Sequence, residues 1–231
     1  MILNKSGLMA FFVLALIVSA AGVSAQGSTV PAAAEVSAAT APAQVTSSTS
    51  AAAAPTLAVQ ALVDSAREYQ DVNAAGLSPE EKSGRLEVKN KLSGILDLRE
   101  MAHLILVRHW DKLTPAEREK YSGLLAKLVE KVAYPQIEKY FNGGLEVQYY
   151  GERPLGAGAA EVLTKIVYKD ENFTLSTEFR LHKTGAGWRI YDVVTDGESL
   201  LLIYRNQHMS IIKDKGFPEL VRLMGKKLNA K

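Results

Sequence analysis

The sequence predicts an α+β fold: a twisted antiparallel sheet of about four strands, packed against helices drawn from both ends of the chain. Three observations lead to it. Up to Gly144, apolar residues recur at helical spacing behind well-formed helix starts. From Leu145 to Val194 the period falls to two, in four short runs with short connections. After Ser199 the helical period returns. Consecutive strands with short links form an antiparallel meander, because a parallel pair needs a crossover of about a dozen residues or more.

Met1 to Ala25 has the make-up of a secretory signal peptide. Lys5 supplies the positive start, Leu8 to Val18 the apolar run, and Val23-Ser24-Ala25 a small-residue cleavage site. The run is short against the roughly 20 residues that cross a bilayer, which disfavours an anchor. Residues 26–55 are almost wholly Ala, Ser, Thr, Pro, Val and Gln, with Glu35 the only charge. Such a stretch buries too little to offset its ordering entropy and is expected to be a disordered linker. The folded domain is therefore expected at 56–231. The chain has no cysteine, so thiol chemistry and a lipid-modified cysteine are both excluded. With 27 basic and 25 acidic side chains, its net charge of +2 lacks the basic excess of a nucleic-acid binder.

Thr56 to Val72 fits an amphipathic helix, with Val59, Leu62, Val63, Ala66 and Tyr69 on one stripe. Ser78 and Pro79 start a second, which runs to about Leu96 through Leu86, Lys89 and Leu92. Asp97 caps a third, with Glu100 completing a capping-box pattern. Thr114, Pro115 and Glu117 repeat the device ahead of a long helix to about Val132, through Leu124, Leu125 and Leu128. Pro135 should kink or restart that helix, and Asn142-Gly143-Gly144 should end it.

Leu145, Val147 and Tyr149 then alternate with Glu146, Gln148 and Tyr150. Glu161 to Lys169 gives a second strand, apolar on both faces. Phe173, Leu175, Thr177, Phe179 and Leu181 alternate strictly with polar residues, the clearest half-buried strand in the chain. In the fourth strand Trp188, Ile190 and Val194 are expected on one face, and Arg189, Tyr191 and Val193 on the other. Thr195-Asp196-Gly197 supplies a turn and Ser199 an N-cap. The closing helices are expected at 199–213 and 217–229, the first with Leu200, Ile203, Tyr204, Gln207 and Ile211 on one stripe.

Catalytic patterns are sparse. His103 and His109 are six apart, about 600° around a helix, and cannot form the i,i+4 pair of an H-E-x-x-H zinc site. Ser199 lies in Gly-Glu-Ser-Leu and not in a G-x-S-x-G elbow. The Gly143-Gly144 and Gly185-Ala186-Gly187 stretches fit caps and turns better than a phosphate loop. Asp192, among apolar strand residues, needs a partner if buried, and Arg205 on the next helix could supply a bidentate one. That makes either an ion pair tying helix to sheet or, in a cone-shaped pocket, a general base. Pairing lowers an aspartate's pKa and makes it a poor base near neutrality, which favours the ion pair.

Four blocks carry a family resemblance: Leu96 to His103, His109 to Tyr121, Trp188 to Leu200 leading into Tyr204-Arg205-Asn206-Gln207, and Lys215 to Met224. In this order, over roughly residues 56–231, they resemble the MlaC / toluene-tolerance family of periplasmic phospholipid carriers. Glu198 departs from the pattern, standing where the family usually has a small apolar residue. The resemblance implies an apolar cavity between sheet and helices that holds a phospholipid's acyl chains, with the head group toward solvent. It implies no enzyme and no cofactor, only phospholipid as cargo. Residues expected to line the cavity are Leu128, Val132, Val147, Tyr149, Val167, Phe173, Leu175, Phe179 and Tyr191, each strand position being a choice between two faces. The implied partners of this monomer are an inner-membrane ABC-transporter complex with an MCE component and an outer-membrane lipoprotein complex. A hopanoid-associated carrier of the same family and an isomerase-like enzyme using Asp192 are the alternatives.

Overall fold

The computed structural model describes residues 54–141, 145–169 and 173–230. Residues 1–53 contain the expected signal peptide and all but the last two residues of the expected linker, and they lie outside the described residues. Helix α1 (Pro55–Glu68) starts on its proline and buries Val59, Val63 and Ala66. Helix α2 (Pro79–Ile95) opens with a complete capping box: Glu81 N donates to Ser78 Oγ at 3.2 Å, and Ser78 N donates to Glu81 Oε2 at 2.8 Å. Helix α3 (Leu98–Leu106) is capped by Asp97, whose Oδ1 accepts from Glu100 N at 3.0 Å. A 3₁₀ segment (Val107–Lys112) follows, so His103 and His109 lie in different elements and do not share one helix.

Val107 opens that segment at φ 50°, ψ −128°, while 43% exposed. A β-branched side chain avoids this region, because its Cβ crowds the backbone. Helix α4 (Pro115–Phe141) stays helical through Pro135, where an interruption was expected.

The sheet is a meander in the order β1 (Leu145–Gly156), β2 (Ala159–Tyr168), β3 (Phe173–Thr184), β4 (Gly187–Thr195) and β5 (Glu198–Ser199), every pair antiparallel. Helices α5 (Leu200–Lys215) and α6 (Phe217–Asn229) complete the chain. The register departs from strict alternation at three places. Tyr150 and Leu155 are extra residues in β1, opposite breaks in the β2 register, and both are exposed. In β4, Arg180 faces Asp192 but Leu181 faces Ile190, so Tyr191 is the bulged residue.

That bulge corrects the expected faces of β4. Cross-strand partners share a face, so Ile190 and Val193, opposite Leu181 and Phe179, point to the same side. Asp192 and Val194 point to the other. A one-residue insertion inverts the parity of everything beyond it.

Two buried regions result. Helices α3 to α6 enclose a cluster containing Ile105, Leu106, Tyr121, Leu125, Leu128, Leu201, Tyr204 and Leu220. The buried side of α5 is Leu201, Tyr204 and His208, rotated from the stripe the sequence suggested. The other region lies between the sheet and helices α1, α2 and α4. The α2–α3 junction is fastened to β4: Asp97 N donates to Ile190 O at 2.7 Å, and the Arg189 guanidinium donates to the carbonyls of Gly94 and Leu96 at 3.0 and 2.9 Å. Asp97 also meets His182 Nε2 at 3.0 Å.

Candidate functional site

Between the sheet and the helices the packing leaves a cavity of about 170 Å³. Its floor is the sheet face that carries Leu145, Val147, Ile166, Tyr168, Phe179, Ile190 and Val193. These positions face one way because the register sets Val147 against Ile166, Leu145 against Tyr168, and Phe179 against Val193. Its walls are Leu62, Val63 and Ala66 of α1, Leu92 of α2, Met101 of α3, and a line along α4. That line is Val129, Ala133, Ile137 and Phe141, each four residues on from the last, with Tyr134 and Gln136 at its flanks.

Among the described residues, no lining residue is charged. The Tyr134 hydroxyl hydrogen-bonds to Ser93 Oγ at 2.7 Å, and burial raises its pKa. The Tyr168 ring packs on Phe173 at 6.1 Å. Gln136 contributes the remaining polar side chain. A wall of this composition takes an apolar guest.

The opposite sheet face is polar. Arg153, Glu161, Arg180 and Asp192 form a row of alternating charge across four strands. Arg153 and Arg180 both pair with Glu161, the latter with Nε at 3.0 Å, and Arg180 Nη1 reaches Asp192 Oδ2 at 3.2 Å. Burial alone would raise the Glu161 carboxyl, but the hydrogen bonds from Arg180 and Arg153 outweigh it and hold the pKa low. Glu178 is pushed up by burial and by the charge of Glu161.

Asp192 also accepts from Ser199 Oγ at 2.7 Å and from Leu201 N at 2.9 Å, so it caps the start of α5. The expected pairing of Asp192 with Arg205 is therefore corrected: the partner is Arg180, which stands opposite it in the register. Arg205 lies further along α5 and donates through Nε to Leu104 O at 3.1 Å, fastening α5 to α3. A carboxylate committed to three donors, on the face away from the cavity, has no geometry for a general base acting inside it.

Of the nine residues expected at the cavity, Val147 and Phe179 line it. Leu128 belongs to the helical cluster, on the far side of α4. Val132 is about 100° around α4 from Ala133 and misses the opening. Val167 faces the polar side of the sheet, between Ile166 and Tyr168. Leu175 and Phe173 pack on Leu145, Ile166 and Tyr168 at the β2–β3 corner. Tyr149 packs beside Val162 and Phe179. Tyr191 is the bulge and its ring meets that of His182 near-perpendicular, with centroids 5.7 Å apart.

The sequence reasoning missed the α4 wall. Its i,i+4 stripe was legible, but it was followed only to about Val132, ahead of the kink or restart expected at Pro135, so Ala133, Ile137 and Phe141 were not considered. Among the described residues, no group of His, Asp or Glu side chains could hold a metal ion, and no helix is long and apolar enough to cross a membrane.

The fold recurs in a solved structure of a phospholipid-binding protein from Ralstonia solanacearum in complex with a phospholipid. The two share 19% sequence identity, with a TM-score of 0.58 over 75% of this chain and 93% of that one. Residues 60–226 match the MlaC protein family. On that match, which spans most of its length and nearly all of the described fold, the chain belongs to the MlaC family.

Proposed function

We propose that this protein is a periplasmic phospholipid carrier that holds acyl chains in the cavity between sheet and α4. The observation that carries this reading is the cavity itself, apolar among its described residues and set in the fold of a protein solved with phospholipid bound. Removing each methylene from water is worth about 0.8 kcal/mol, so a lipid in transit needs such a wall and needs no catalytic group. Net affinity stays far smaller, because the lipid comes from and returns to a membrane.

The volume of about 170 Å³ is close to that of a cavity that admits benzene, and below the range for drug-sized ligands. Loading therefore requires the helices to move off the sheet. The partners in this reading are an inner-membrane ABC-transporter complex with an MCE component and an outer-membrane lipoprotein complex. Export would remove residues 1–25 and leave Gln26 at the N-terminus.

Purified protein should accelerate movement of a fluorescent phospholipid from donor to acceptor vesicles in proportion to its concentration. No acceleration over vesicles alone would contradict the reading. Recovery in the membrane fraction with residues 1–25 retained would contradict the exported, soluble form.

A further inference from the structure

We infer that the side-chain amide of Gln136 is the polar anchor of the cavity, donating a hydrogen bond to an ester carbonyl of a diacyl lipid. The inference rests on the carrier reading and adds to it what fixes the depth of the cargo. Gln136 lies on α4 between Ala133 and Ile137, both on the cavity wall, and is itself part of that wall. It is partly buried. Among the described residues its amide makes no hydrogen bond, whereas the Tyr134 hydroxyl is engaged by Ser93.

Contacts between chains and an apolar wall are non-directional and set no depth of insertion. A polar group among carbons does set one, as in other apolar sites whose few polar groups orient the ligand. Along a diacyl lipid, the first polar atoms beyond the chains are the ester carbonyl oxygens, which only accept. The amide of glutamine offers two N–H donors without carrying charge. A charged anchor would bind the phosphate strongly and oppose release to a membrane. A neutral amide contributes only a few-fold in affinity, which suits a cargo that must leave.

The test compares a diester phosphatidylcholine with its diether analogue, which lacks only the carbonyl oxygens, at neutral pH. Wild-type protein should favour the diester by about fivefold, the worth of one net hydrogen bond. Gln136→Leu should bind the two lipids alike, through loss of diester affinity. Gln136→Met keeps the unbranched length but removes the donors, and should also lose the preference. Its result separates the donor from any packing defect in the leucine variant. A wild type without preference, or either variant with the preference intact, overturns the inference while leaving the carrier reading in place. A wild type that binds neither lipid overturns the carrier reading and this inference with it.

Discussion

Replacing Ala133 with Leu decides by its sign whether the space beside α4 is a cavity or a packed core. Ala133 lines the space, and an empty volume of about 170 Å³ corresponds to about 4 kcal/mol of stability forgone, at ~24 cal/mol per Å³. Leucine adds three carbon atoms there. At ~0.8 kcal/mol for each carbon removed from water, Ala133→Leu should stabilise the protein by about 2 kcal/mol. For a domain of this size that is a rise in Tm of roughly 4–8 °C. In a filled core the same change would overpack and cost about 1–3 kcal/mol. Urea unfolding and calorimetry should be run on protein extracted with organic solvent, because bound lipid would add its own stabilisation by mass action. Lipid uptake by the variant should fall. A lower Tm for Ala133→Leu would refute the cavity.

Three further predictions follow from other parts of the molecule. Asp192→Ala leaves Ser199 Oγ and Leu201 N without this acceptor and Arg180 with Glu161 as its remaining carboxylate, and urea unfolding should show a loss of about 3 kcal/mol; unchanged stability would contradict the capping role. Burial, with a smaller contribution from the Lys227 charge, lowers His208 from 6.5 to about 4. The folded value lies below the unfolded one, so the unfolded chain binds the extra proton between them. The stabilisation is present above pH 6.5 and lost as pH falls toward 4, by about 3 kcal/mol in all. His208→Gln, which keeps an acceptor for the Tyr121 hydroxyl, should flatten that part of the stability profile, and a slope equal to wild type would assign it elsewhere. Val107→Gly should raise stability by about 1 kcal/mol, since relief of a strained φ exceeds the added chain entropy and the side chain is largely exposed. A destabilised glycine variant would show that Val107 is held there by packing.

The parts of the fold governed by local chemistry were legible in the sequence. Ser78 with Glu81 and Ser199 make the caps their spacing implied, and Asp97 accepts from Glu100 N while the Glu100 carboxylate turns to His103 and leaves the expected box half made. The alternation of Leu175, Thr177, Phe179 and Leu181 is the buried face of β3. What was hidden depends on contacts distant in sequence. The bulge at Tyr191 leaves no local signature, since any residue can stand as the extra one, yet it decides that Val193 and not Tyr191 faces the cavity. Asp192 has Arg180 as its partner through strand register, which a search along the neighbouring helix could not reveal. Pro135 misled in the opposite direction. Its cost to a helix is local, and the packing of Tyr134, Ile137 and Phe141 against α1 and α2, with Phe141 also on the sheet, outweighs it.

The central claim is that this protein holds phospholipid in the cavity between the sheet and α4. Native mass spectrometry of protein purified without detergent tests it most directly. The spectrum should show the mature chain with an added mass matching a diacyl phospholipid, and organic extraction should remove that mass while the protein stays folded. A folded protein that carries no lipid from any expression condition, and gains none when mixed with vesicles, would contradict the claim.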